Sequence, residues 1–414
     1  MSESSLRDLA RLCRMPMEVG GSCALLPPDW SLETLCAAAS EHEVVGLFAA
    51  SLLAGHGGPL TDDWHEGMGL YLEGARLEAA AVEAQLVRVL GLFAKADIAV
   101  MPFKGPLLAQ SIHADRGFRS CRDLDVMIRT DEVAAALDCL TDAGYVHQSG
   151  LDATGIAALR RYAGEYILFR NGALPVEPHW QPAPTTMAFD IDMRRVWDRA
   201  KPGTFLGAPC HVIAPADHLM LLAMHGAKER WHKLKWLFDV HAMVTMHPQI
   251  DLVALREDAT SWGGRRILDL ALLLSKRLFG TAIDAPHDHA TMKLAVAVTA
   301  RLAHSPEEPP GPYRLNAFHW QLRERRLDRL RYALRTMATP RVAHYRRLPL
   351  PPALHWLYVP LKFPWDYALT PMVGAMRNLC GRVSSARRQP LVQRSTVASN
   401  RRLPGSAKAS QAVK

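Results

Sequence analysis

Asp123 and Asp125 flank Leu124 in the run Arg119-Ser-Cys-Arg-Asp-Leu-Asp-Val-Met-Ile. Successive side chains of a strand point to opposite faces, so an extended chain here puts both aspartates on one face and Leu124 and Val126 on the other. Two carboxylates that close repel each other unless a cation lies between them. Mg²⁺, or Mn²⁺ in its place, takes hard oxygens and commonly combines one or two carboxylates with the phosphates of a substrate. A third acid follows in Pro-Val-Glu177-Pro-His179-Trp, where Glu177 and His179 again share a face. If that segment lies beside the aspartate strand, Asp123, Asp125 and Glu177 form one metal site. Glu177 then binds a second ion or takes the proton of an attacking hydroxyl. Pro178 removes a ladder donor, which predicts an edge or bulged strand.

Lys104-Gly105 supplies the anion side. A glycine between a strand and a helix allows a tight turn and exposes amides at the helix N-terminus, a ready phosphate site. Lys104 adds a mobile charge, and Arg119 or Arg122 a planar fork for phosphate oxygens. Farther on, His225, Lys228, His232, Lys235 and Asp239 recur at helical intervals of 3 and 4. That stripe is either a solvated face or the wall of a cleft, in which His225, Lys228 and Lys235 line the triphosphate or the acceptor.

Short elements must position these groups. Ile98 to Phe103 and Leu124 to Ile128 read as strands, with a helix from Pro106 to about Ile112 between them. Thr130 or Asp131 caps a helix to Ala143, stopped by Gly144. Tyr166 to Phe169 and Leu174 to Glu177 read as a hairpin turning at Asn171-Gly172. Helical patterns surround this core. They run from Ser31 to Leu53, Trp64 to Ala96, Ala216 to His247, Leu252 to Phe279 with a break near Gly263-Gly264, and His289 to Ala303. Tyr313 to Met337 is an Arg-rich amphipathic pattern expected to bury its leucines and solvate its arginines. The expected fold is α+β, a small mixed sheet flanked by helical regions. The divisions fall at 1–90 (helical), 91–204 (sheet), 205–380 (helical) and 381–414 (a basic tail).

The ordered set Phe103-Lys104-Gly105, Arg119, Asp123-Leu124-Asp125, Gly144-Tyr145 and Glu177-Pro178-His179-Trp180 resembles the uncharacterised bacterial nucleotidyltransferases of the DNA polymerase β superfamily. The resemblance covers about 30–365 and includes Leu234-Lys235-Trp236-Leu237 in a helical second region. It implies a polymerase-β-like sheet and transfer of NMP from an NTP, with ATP the leading donor, and it names no acceptor. In that frame Lys104, Gly105, Arg119, His179, His225, Lys228 and Lys235 are the nucleotide-binding set. Two other classes also use these residues: a glycosyltransferase, whose Asp-x-Asp holds a nucleotide-sugar, and a binding module with a decayed site. The Lys-Gly turn and the third acid argue against the first.

Composition sets the outer bounds. The chain has 414 residues, 49% hydrophobic and 22% charged, enough for more than one core. Its net charge of +8 is carried by a tail, because Arg377 to Lys414 holds nine basic residues and no acidic one. The remainder has 40 basic against 41 acidic residues, so nucleic acid is not the favoured partner. Seven scattered cysteines, Cys13, Cys23, Cys36, Cys121, Cys139, Cys210 and Cys380, fit reduced thiols and a cytoplasmic setting. No apolar run reaches the roughly 20 residues of a membrane span. The Arg-rich helix and the aromatic, Pro-rich stretch from His355 to Tyr367 leave a peripheral membrane contact open.

Overall fold

A computed structural model describes residues 2–14, 16, 31–304 and 315–366. The Pro/Glu linker from Ser305 to Pro312, the start of the Arg-rich pattern and the basic tail lie outside the described residues. By contacts the chain divides into Met1–Lys362 and Phe363–Lys414.

The first unit opens with four helices, α1 (Glu3–Arg14), α2 (Leu32–Glu41), α3 (Val45–Leu53) and α4 (Asp62–Lys95). The helix expected from Ser31 to Leu53 is therefore two, because Glu43 turns left-handed (φ 57°) between them. Then come β1 (Val100–Pro102), α5 (Gly105–Ile112), β2 (Leu124–Ile128), α6 (Val133–Asp142), β3 (Val146–His147), α7 (Ala153–Leu159), β4 (Leu168–Phe169) and β5 (Val176–His179). Next are α8 (Met193–Arg199) and a hairpin, β6 (Lys201–Phe205) with β7 (Ala208–Val212), which packs on β1 and α4. The rest is helical: α9 (Pro215–Lys228), α10 (Leu234–Met246), α11 (Leu252–Ser261), α12 (Arg265–Phe279), α13 (His289–His304), α14 (Ala317–Leu322), α15 (Arg326–Ala338), α16 (Val342–Arg347) and α17 (Tyr358–Pro364).

The sheet is mixed, ordered β1-β2-β5-β4-β3, with β2 and β5 parallel and the other pairs antiparallel. β5 is thus central, against the expectation of an edge strand. Pro178 is accommodated because the ladder towards β4 is thin. It consists of the Leu168↔Val176 pair and an isolated bridge, Glu165↔His179, with the Tyr166 amide donating to the Pro178 carbonyl at 3.0 Å.

Both faces of the sheet are covered. Leu124, Val126, Ile128 and Val176 pack with Leu86, Leu90 and Phe93 of α4. Met101, Phe103 and Met127 pack with Trp197 of α8 and Leu221 of α9 on the other side. The N- and C-terminal helices share one core, where Leu6, Phe48, Leu237, Leu268 and Leu272 meet. A site on the second face of the sheet therefore lies between the sheet and α8 and α9.

Two helical expectations are corrected. The stretch from Ala216 to His247 breaks between α9 and α10, where Arg230 and Trp231 are left-handed (φ 56° each). The fully buried Trp231 ring lies on Gly226, where a Cβ would come within 2.2 Å of it. The Arg-rich segment divides into α14 and α15; Leu322 is buried and Arg325, Arg326 and Arg331 are exposed as expected, but the leucines of α15 face outward. Asp328, Tyr332 and Thr336 form its buried side. Leu327, Leu330 and Leu334 are 74%, 53% and 57% exposed. Arg323 is fully buried, stacked 3.7 Å from the Phe189 ring and donating to the His319 carbonyl at 3.2 Å. A guanidinium that finds two aromatic faces and carbonyl acceptors can be enclosed where a leucine stripe was expected.

Candidate active site

The parallel register pairs Asp125 with Glu177 and Met127 with His179. By alternation, Asp125, Glu177 and His179 all point to the face covered by α8 and α9. One ligand atom from each lies within 4.8 Å of the others, and this is the metal-competent cluster among the described residues. His179, which the sequence reading had placed with the nucleotide, joins Asp125 and Glu177 in this cluster. Asp123 is half-buried at the rim, beside Asp125.

Lysine and histidine already engage Asp125. Lys104 Nζ lies 2.6 Å from Asp125 Oδ1, and His179 Nε2 donates to the same oxygen at 2.9 Å. Burial opposes ionisation, but Lys104 and then His179 outweigh it and hold Asp125 well below the usual carboxylate range. The other two acids behave oppositely. Burial first, then the Asp125 charge, push Glu177 up to about 8 and raise Asp123 as well. A cluster that holds an ammonium and an imidazolium and still raises two carboxyls is short of positive charge. A divalent ion could supply it, and His179 could join the carboxylates as a ligand only after giving up its proton.

Behind His179 stands Glu165, with Oε2 3.0 Å from His179 Nδ1. Lys228 from α9 donates to Glu165 at 3.0 and 3.2 Å. Burial works against the His179 charge, yet Glu165 and Asp125 raise the imidazole to about 9. Lys228 first, then His179, hold Glu165 well below its ordinary value despite burial. The result is a buried line of alternating charge, Lys104, Asp125, His179, Glu165, Lys228, that crosses from β1 through the sheet to α9. Phe103 closes it from the side, edge-on to the His179 ring at 5.0 Å.

Lys104 caps α5, and Gly105 takes φ 62°, the turn that brings the helix N-terminus against the Asp123 backbone. His225 faces Lys104 from α9, its Nδ1 3.3 Å from Nζ. Burial, then Lys104 and Lys228, hold His225 well below its ordinary value, so it is neutral and accepts from the ammonium.

The remaining sequence-derived residues are drawn into other pairs. Arg119 makes a buried two-pronged contact with Asp239 of α10, both bonds 2.9 Å. Lys235 donates to Glu43, which also draws Arg122 (3.2 Å) and Lys233 (3.8 Å). The Lys235 charge still reaches Asp123, where it opposes the upward shift. A cleft of about 240 Å³ runs along this rim between Glu43, Tyr71, Pro106, Cys121 and Arg122.

Sequence reasoning missed Glu165 and Glu43, and named Asp239 in the helical stripe without seeing its pairing with Arg119. The hairpin was the signal for Glu165, but its register misled. A two-residue turn at Asn171-Gly172 would set Gly164 across from His179, whereas the observed Leu168↔Val176 pairing is one residue longer and sets Glu165 there.

Residues 28–280 match the family model described as uncharacterised nucleotidyltransferase. No curated protein and no solved structure gives a significant match.

Proposed function

The chain belongs to this family of uncharacterised nucleotidyltransferases, and on that footing we propose that it transfers NMP from an NTP to a hydroxyl of an acceptor, at a metal site held by Asp123, Asp125 and Glu177 with His179 beside them. The observation that carries the reading is the side-by-side placement of Asp125 and Glu177 on parallel strands, with Glu177 and Asp123 both starved of positive charge. A sheet that offers carboxylates from neighbouring strands opposite a Lys-Gly helix start also supports a polymerase-β-like arrangement of this domain.

Asp123, Asp125 and Glu177 would hold a divalent ion, Mg²⁺ or Mn²⁺, which would screen the phosphates and the negative charge developing on the oxygens of the transferred phosphoryl group. Lys104 releases Asp125 and takes the triphosphate together with the Gly105 amide at the start of α5. Neutral His225 steers the Lys104 ammonium. Lys228 keeps Glu165 charged, and Glu165 keeps the His179 ring oriented with Nε2 towards Asp125 and Glu177. The acceptor oxygen attacks the α-phosphorus, the bond from that phosphorus to the bridging oxygen of the β-phosphate breaks, and pyrophosphate leaves. Glu177, which would be ionised with a divalent ion bound, accepts the hydroxyl proton. Arg119 has a positioning role: its pairing with Asp239 ties the segment before β2 to α10. Lys235 pairs with Glu43, which lines the cleft beside β2. Such catalysis is chiefly placement and charge stabilisation.

The test is incubation of the full chain with each α-phosphate-labelled NTP, Mg²⁺ or Mn²⁺, and a cell extract as a source of acceptors. The reading expects label on an acceptor, release of pyrophosphate, and loss of both with Asp125→Asn. Transfer of the γ-phosphate, transfer of sugar from a nucleotide-sugar, or labelling indifferent to Asp125→Asn would each overturn it.

A further inference from the structure

Leu327, Leu330 and Leu334 lie three and four residues apart on α15 and stand 74%, 53% and 57% exposed. Spacing of this kind makes one continuous stripe along a helix. The opposite side of α15 is satisfied within the fold, by buried Tyr332, Thr336 and Asp328. The stripe is therefore not a core face that failed to pack. The short segment that follows α16 is also rich in outward apolar groups: Leu348 is 40%, Leu354 39%, Trp356 66% and Leu361 37% exposed. Lys362 ties this segment to α15, donating to the Thr336 carbonyl.

What covers such a surface is decided by its charge. From Arg326 to Arg347 there are seven arginines against a single acid, Asp328, a net +6 with histidines neutral; Lys362 is buried and adds nothing to the surface. Asp190 offsets part of this through Arg335 (2.8 Å) and Arg331 (3.5 Å). A second copy docking by the same face would oppose two strongly basic surfaces, which disfavours self-association. An anionic bilayer matches both properties at once. Its headgroup layer neutralises arginines, and its acyl boundary takes leucine and tryptophan side chains. Thirteen residues of helix lying in the plane need no spanning segment, and no described helix is long and apolar enough to cross a membrane.

We propose that the leucine stripe of α15 is a docking surface for an anionic lipid membrane. The site is separate from the carboxylate cluster and does not depend on the reaction assigned to it. An enzyme so placed would work at a membrane surface.

The experiment is flotation of the full chain with vesicles of phosphatidylcholine alone and of an equal mixture of phosphatidylcholine and phosphatidylglycerol. Binding is expected to the mixed vesicles and not to the neutral ones. The variant Leu327→Ser/Leu330→Ser/Leu334→Ser removes exposed groups only and keeps the fold, checked by its melting curve. It is expected to lower the vesicle partition constant by roughly tenfold or more. Arg326→Glu should weaken binding and make what remains less sensitive to salt. No binding of the native chain to the mixed vesicles would overturn the proposal. So would undiminished binding of the triple variant, which would hand the effect to the basic residues after Arg377. A native dimer that the triple variant converts to monomer, with no vesicle binding, would assign the stripe to a second copy instead.

Discussion

The Lys104 ammonium stands 2.6 Å from Asp125 Oδ1, on the carboxylate that a metal ion would use. The lysine and the ion compete for one oxygen, and the lysine has a second destination in the triphosphate. Lys104→Ala should therefore tighten Mn²⁺ binding in the absence of nucleotide while weakening nucleotide binding. Its kcat/KM should fall by about 10²- to 10³-fold. Calorimetry of Mn²⁺ binding with and without a non-hydrolysable NTP separates the two effects. A loss of Mn²⁺ affinity in the variant would count against the competition.

Glu165 touches neither substrate nor metal in this arrangement and acts through His179, 3.0 Å away. Loss of such an outer partner typically costs 10–100-fold in metal affinity. Glu165→Gln is expected to weaken Mn²⁺ binding within that range of about 10–100-fold. Lys228→Met should weaken it less, because Glu165 keeps its place against the imidazole. Calorimetry or electron paramagnetic resonance of bound Mn²⁺ reads both, and unchanged affinity in Glu165→Gln would remove Glu165 from the site.

The metal-free protein should lose stability as pH rises from about 7 to 9, above the range in which the buried histidines held below their ordinary value, such as His218, His225 and His319, gain stability as the unfolded chain loses its protons. His179, raised to about 9, stabilises the fold in its protonated form. That contribution is complete below its ordinary value of 6.5 and vanishes as pH passes 9. Glu177, raised from 4.5 to about 8, holds a proton in the folded chain that the unfolded chain has already lost, so its effect has the same sign. Melting temperatures in EDTA should decline across this window, and Glu177→Gln should flatten the part below 8. Mn²⁺ should reverse the slope, because its binding displaces protons from the same groups.

Arg119→Ala leaves the Asp239 carboxylate buried without its partner, which costs about 3–5 kcal/mol. The double variant Arg119→Met/Asp239→Leu removes both charges and should recover most of that loss. Urea unfolding checks the cycle. If Arg119→Ala unfolds at the native midpoint but binds nucleotide poorly, Arg119 is a phosphate ligand and not a brace.

Much of this was legible in the sequence because it is local. β2 runs from Leu124 to Ile128 as alternation predicts, and its side chains divide as expected, with Leu124 and Val126 inward and Asp125 on the opposite face. The turn at Lys104-Gly105, the start of α5 and the break at Gly263-Gly264 follow from the backbone freedom of glycine and the fixed φ of proline. What decided the rest was pairing between distant segments. The one-residue lengthening of the β4–β5 hairpin brings Glu165 to His179, and no local preference measures that slip. Arg119 and Lys104 read alike as free cations in sequence. Only the packing of α10 gives Arg119 its Asp239, and only β2 gives Lys104 its Asp125. The leucines of α15 point outward for the same kind of reason. A helix has two sides, and the choice of which to bury was made by Tyr332, Thr336 and the turn at Thr185–Met187 they pack upon, not by hydrophobicity along the helix itself.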